Sequence, residues 1–188
     1  MKTLRKTAEE AYLKYANKII NRETWIDGFI SGIQYKKEYP QSIELCGLLW
    51  DTENLSIGGY EKDGHHYYTW QETMDAAKAV GKRLPSCQEW KALCDLGSTW
   101  DDELKGRWFG GNHNSDHKGS LFLPAAGLRY GNSGEVGGTS SDGYYWSSSP
   151  YYGGSYNTGG LYFYSGYVYP LYNFNRAYGF SVRCVQNK

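Results

Sequence analysis

An α+β fold is expected for this chain, on three observations. Helical periodicity is confined to the first half, and short strand-like runs between glycine- and asparagine-rich loops dominate the second. Between Gly143 and Val185 tyrosine alternates with aliphatic or phenylalanine residues in period two, as in a sheet with two unlike faces.

The elements follow in order. In residues 1–40, Leu4, Ala8, Ala11, Tyr15 and Ile19 recur at helical spacing. Thr24 and Asp27 then open a second short helix carrying Trp25, Phe29, Ile30 and Ile33, and Pro40 ends this helical arm. The arm either docks on the rest of the chain or pairs with copies of itself. From Leu45 onward, Cys46–Trp50 and His66–Trp70 read as strands. Thr69 caps a helix from Gln71 to Val80, which Gly81 ends. Ser86 caps another from Gln88 to Leu96, with Glu89 completing a capping box. Leu121–Pro124 is a short apolar piece among loops, and Phe180, Val182 and Cys184 alternate in an expected final strand.

Composition excludes several classes of function. The 20 basic and 20 acidic residues cancel, so neither nucleic acid nor an anionic membrane is attracted at long range. No apolar run approaches the roughly 20 residues of a membrane-spanning helix. Behind Lys2, Arg5 and Lys6 the chain places Glu9, Glu10 and Lys14 where a secretion signal needs apolar residues. Synthesis in the cytoplasm without a signal peptide is therefore expected, with any outside role requiring another route, such as a phage particle. The four cysteines, at 46, 87, 94 and 184, contain no C-x-x-C pair and read as reduced thiols.

The segment from Gly143 to Val185 has no Lys, Asp, Glu, Gln or Met, and Tyr144 to Tyr178 holds 11 of the 19 tyrosines. A solvated surface recruits charge and a core recruits aliphatics; this stretch does neither. Alternation sends Leu161, Phe163, Val168 and Phe174 inward, leaving Tyr162, Tyr164, Tyr167, Tyr169, Asn173 and Asn175 on the outer face. Tyr, Ser, Gly and Asn are the residues paratopes favour, because tyrosine offers wide amphipathic contact with few torsions to freeze. The competing reading is a tyrosine-rich surface without a ligand, or a contact between copies.

Four blocks carry a resemblance: Gly81–Trp90 (GKRLPSCQEW), Phe122–Gly127 (FLPAAG), Tyr145–Ser149 (YWSSS) and Gly179–Val185 (GFSVRCV). Together they resemble the formylglycine-generating-enzyme branch of C-type-lectin-like folds, in the form common among variable proteins of diversity-generating retroelements. The resemblance covers residues 45–186. It implies a C-type-lectin-like domain over residues 45–188, with short strands, two helices and long loops, preceded by the arm. In that family, adenine-directed mutagenesis rewrites asparagine codons near the end of the gene. Such codons can become Tyr, Ser, Gly, Asp and others, but never Lys, Glu, Gln, Met or Trp, so Trp146 belongs to the fixed framework. Carried over, the variable ligand-binding positions are Tyr151, Tyr152, Ser155, Tyr156, Asn157, Tyr162, Tyr164, Ser165, Tyr167, Tyr169, Tyr172, Asn173, Asn175 and Tyr178. Gly153, Gly154, Thr158, Leu171 and Ala177 form a borderline set.

The resemblance implies a protein or glycan receptor on a cell surface as partner, engaged from a phage tail or a bacterial surface. A fixed structural or adhesion module of the same fold is the alternative. An oxidase of the formylglycine-generating type ranks last, because no cysteine lies between Cys94 and Cys184 to supply its copper-holding pair. No catalytic residue, cofactor or metal is expected. His113, Asp116 and His117 sit among glycines in a loop where helical ligand spacing has no meaning. Ser147–Ser149 has no adjacent base and reads as a hydrogen-bonded framework turn.

Overall fold

The computed structural model describes residues 42–111, 117–150 and 156–188. The helical arm of residues 1–40 and the site candidates Tyr151, Tyr152 and Ser155 lie outside the described residues, as do His113 and Asp116.

Two hairpins are set by their turns. β1 (Ser42–Leu45) and β2 (Leu48–Asp51) are joined through Cys46 and Gly47, at φ 53° and 75°. β3 (Tyr60–Lys62) and β4 (His65–Tyr67) are joined through Asp63 and Gly64, at φ 53° and 78°. Two consecutive left-handed residues match the twist of the flanking strands. The single strand expected over Cys46–Trp50 is thus corrected: its first two residues form a turn, and the strand begins at Leu48.

Both expected helices form. α1 (Trp70–Ala79) starts at Thr69, where the Glu72 carboxylate accepts the Thr69 N–H at 2.8 Å. α2 (Cys87–Asp95) starts at Ser86, whose hydroxyl accepts the Glu89 N–H at 3.2 Å while Glu89 accepts the Ser86 N–H at 2.6 Å. Reciprocal bonds of this kind satisfy amides that a helix start leaves open. Arg83 then grips Glu89 with two nitrogens, at 2.9 and 2.8 Å, fixing α2 to the strand end at Asn187.

The rest is sheet. β5 (Ser98–Asp101), β6 (Gly106–Phe109) and β7 (Leu121–Pro124) form one antiparallel sheet, and β8 (Leu128–Arg129) pairs β9 (Val136–Gly137). β10 (Asp142–Pro150), β11 (Asn157–Tyr164) and β12 (Val168–Asn175) form the longest sheet. β13 (Val185–Asn187) returns to the free edge of β2. The described residues are mostly sheet with two short helices and no closed barrel, compatible with α+β. Among them no helix is long and apolar enough to cross a membrane.

Two apolar clusters hold the layers together. One gathers Trp50, Trp90, Phe109, Tyr145, Leu161 and Phe163; the other gathers Tyr68, Leu84, Trp146, Phe174, Phe180 and Val182. The expected alternating strand over Phe180–Cys184 is corrected. Ser181 and Arg183 are as buried as Phe180 and Val182, and only Val185–Asn187 is a strand. The reason is that Arg183 finds partners inside: its Nε and Nη2 donate to Asn54 Oδ1 and its Nη1 to the Asp51 carbonyl. A buried guanidinium so paired avoids the cost of a lone buried charge. Ser147–Ser149 is corrected likewise, from a turn to part of β10.

Candidate functional site

Cross-strand partners share a face, so the register of β10–β11–β12 sorts the segment. Tyr144 pairs with Tyr162, Tyr162 with Tyr169, Gly160 with Tyr172, and Thr158 with Phe174. These residues lie on one face. Leu161, Phe163, Val168, Asn157, Asn173 and Asn175 lie on the other, against which α2 packs. In β12 Phe174 is buried and Asn175 exposed as expected from sequence, but Phe174 lies on the tyrosine face and Asn173 and Asn175 oppose it. The cause is a bulge, since Pro170 and Leu171 together stand opposite Leu161 and the strand's parity inverts there.

The tyrosine face is divided along its length. At one end Trp146 and Phe174 pack on Phe180, with ring centroids 4.1 and 4.7 Å away, and belong to the core. At the other end the rings form a continuous raft open to solvent. Tyr162 stacks on Tyr144 at 4.8 Å and on Tyr169 at 5.5 Å. Tyr164, Tyr167 and Tyr172 meet Tyr169 at 6.5, 4.6 and 5.7 Å. Such offset and edge contacts pre-set the side chains, which lowers the ordering cost of a later contact.

Tyr156, Ser165, Tyr167, Tyr172 and Asn175 are exposed, and Asn157, Tyr162, Tyr164, Tyr169, Asn173 and Tyr178 are half-buried. Tyr162, Tyr164, Tyr167, Tyr169 and Tyr172 are brought together. Tyr156 and Asn157 sit at the far end of β11, and Tyr178 leaves the sheet to meet Tyr130 at 6.3 Å. In the borderline set, Thr158 is fully buried and its hydroxyl donates to the Ser149 carbonyl, a framework role; Leu171, 46% exposed, stands on the bulge beside Tyr172. Gly160 also belongs to the framework, since a Cβ there would lie 2.6 Å from the Tyr145 carbonyl oxygen.

Three supporting residues escaped the sequence reading. Tyr144 underlies the raft, and burial, with the Asp142 charge second, pushes its hydroxyl well above the ordinary tyrosine range. Asp142 accepts the Tyr162 hydroxyl at 2.9 Å, and burial, then this bond, pushes that hydroxyl up to about 12. Arg107 is buried and pins the β11–β12 turn, donating to the carbonyls of Tyr164 at 3.0 Å and Ser165 at 2.9 Å. An isolated Asp at the segment's edge and an Arg in β6 carry no sequence signal for this, because register alone puts them there. Beside Asp142 a cleft of about 430 Å³ opens between the raft and Trp100 of β5.

Residues 95–185 match a family described as Domain of unknown function (DUF8237). No curated protein and no solved structure matches. The matched stretch contains the whole tyrosine sheet. It is not self-contained in the core, because Trp90 packs on both Trp50 and Tyr145, at 5.0 and 5.9 Å.

Proposed function

We propose that this chain is a non-catalytic ligand-binding protein of C-type-lectin-like fold. Its Tyr-, Ser-, Gly- and Asn-rich surface is diversified at the codon level, in the manner of a retroelement variable protein. The observation that carries the reading is the separation of duties in β11 and β12. Leu161 and Phe163 are fully buried, while Tyr162, Tyr164, Tyr167, Tyr169 and Tyr172 form a solvent-facing raft. The outer raft rings Tyr164, Tyr167 and Tyr169 are not among the residues packed on either apolar cluster, so the fold can accept many side chains there, whereas Tyr162 also packs against the Phe174–Phe180 cluster. A contiguous, partly exposed aromatic surface is typical of an interaction site, and its composition suits contact with protein or glycan alike. Receptor recognition on a cell surface, from a phage tail or a bacterial display protein, is the role that fits.

Sequencing the DNA around the gene tests this directly. A near-copy of the segment encoding residues 144–178, with asparagine AAC codons at the raft positions and a reverse-transcriptase gene beside it, is expected. A flank without such a copy, together with an invariant segment across isolates, would leave a fixed adhesion module instead.

A further inference from the structure

The cleft at the Asp142 edge of the raft has a ligand chemistry of its own. We infer that it is a subsite for a cationic side chain, arginine or lysine, of a protein partner; this rests on the raft being a recognition surface. The cleft is lined by three aromatic residues, Tyr162, Tyr164 and Trp100, and by Asp142 and Asp102 together with Lys105 and three serines. Aromatic faces carry partial negative charge and attract a cation held within about 6 Å of the ring.

The rim has an excess of negative charge. Lys105 is its only cation, and it lies 3.8 Å from Asp102, leaving Asp142 without an ion pair among the described residues. The segment's own cations are engaged elsewhere. Arg176 lies 4.1 Å over the Trp70 ring and donates to the Asn157 carbonyl, and Arg183 is buried.

Hydrogen-bond polarity at the Asp142 edge favours a cation. The Tyr162 and Ser141 hydroxyls both donate to Asp142, so their protons are already committed. What the Asp142 edge offers a ligand is acceptors, since a carboxylate has about four lone-pair sites and two are used here. A guanidinium, with five donors and no acceptor, complements that edge.

The test is a titration of the isotope-labelled full chain with N-acetyl-arginine amide, followed by backbone amide shifts. Saturable shifts confined to residues around Asp142 and Tyr164 are expected, weakening with added salt. Asp142→Asn, which keeps an acceptor for Tyr162, should weaken binding about tenfold, in line with loss of a charge-assisted bond. Lys105→Met should strengthen it. The neutral isostere N-acetyl-citrulline amide should bind far more weakly. Equal binding of that isostere, a methyl hexoside moving the same amides at lower concentration, or no shift at Asp142 would each overturn the inference. Met74→Gln, on the exposed side of α1 and outside both cleft and raft, should leave arginine binding unchanged. A subsite failure is thereby told apart from failure of the wider reading, which the flanking DNA decides.

Discussion

At the scale of single residues, side chains on opposite faces of the paired strands β11 and β12 should differ sharply in their response to truncation. The ring contacts of Tyr169 are with other raft rings, so Tyr169→Ser should change unfolding free energy by about 0.5 kcal/mol or less, as at most surface sites. Phe163 is fully buried between Phe109 and Tyr145, and Phe163→Ala should cost about 3–5 kcal/mol. Urea unfolding of both variants measures the contrast, and comparable losses would mean the raft is structural. Titration adds a second check. Burial pushes the Tyr68, Tyr145 and Tyr162 hydroxyls from the ordinary value of 10 up to about 12. A raised folded-state value means the native chain holds these protons more tightly than the unfolded one. Their contribution is thus complete below pH 10 and lost as pH rises through 12. Thermal melts from pH 8 to 12 should show a midpoint that drops in this window, together with tyrosinate absorbance.

At the scale of elements, the β11–β12 hairpin depends on a residue far away in sequence. Arg107 holds the carbonyls of Tyr164 and Ser165, while the Tyr164 N–H donates to the Tyr167 carbonyl at 3.0 Å across the turn. Arg107→Met should leave those carbonyls without a partner and cost about 1–3 kcal/mol. Amide exchange at Ser165 to Tyr167 should accelerate more than at Leu161, which marks a local loosening of the turn. This element also shows what sequence could and could not reveal. Both helix starts were legible, because Thr69–Glu72 and Ser86–Glu89 act within four residues of chain. The inward side chains of Leu161 and Phe163 were legible from period two. The faces of Asn173, Phe174 and Asn175 were not, because one bulge at Pro170–Leu171 inverts all later parity and leaves no composition mark. Asp142 and Arg107 were missed for a related reason: their roles come from pairing between distant strands.

At the scale of the whole molecule, β10 and β11 join the two apolar clusters: Tyr145, Leu161 and Phe163 feed one, while Trp146, one residue on from Tyr145, feeds the other. Both clusters should therefore melt together, and the cysteines report on this. All four are free thiols, and only Cys46, in the β1–β2 turn, is exposed. Burial pushes the Cys94 thiol up to about 12 and the Cys184 thiol up to about 11, so neither supplies thiolate at neutral pH. A thiol reagent at pH 7.5 should label Cys46 first, and Cys94 and Cys184 only as the chain opens. Cys184 sits with Phe180 in one cluster and Cys94 packs against the other. In rising urea the two should thus become reactive with the same midpoint. Cys94 reacting at distinctly lower urea than Cys184 would show that the layers around α2 unfold separately, and the recognition sheet would then rest on a support that can loosen independently of it.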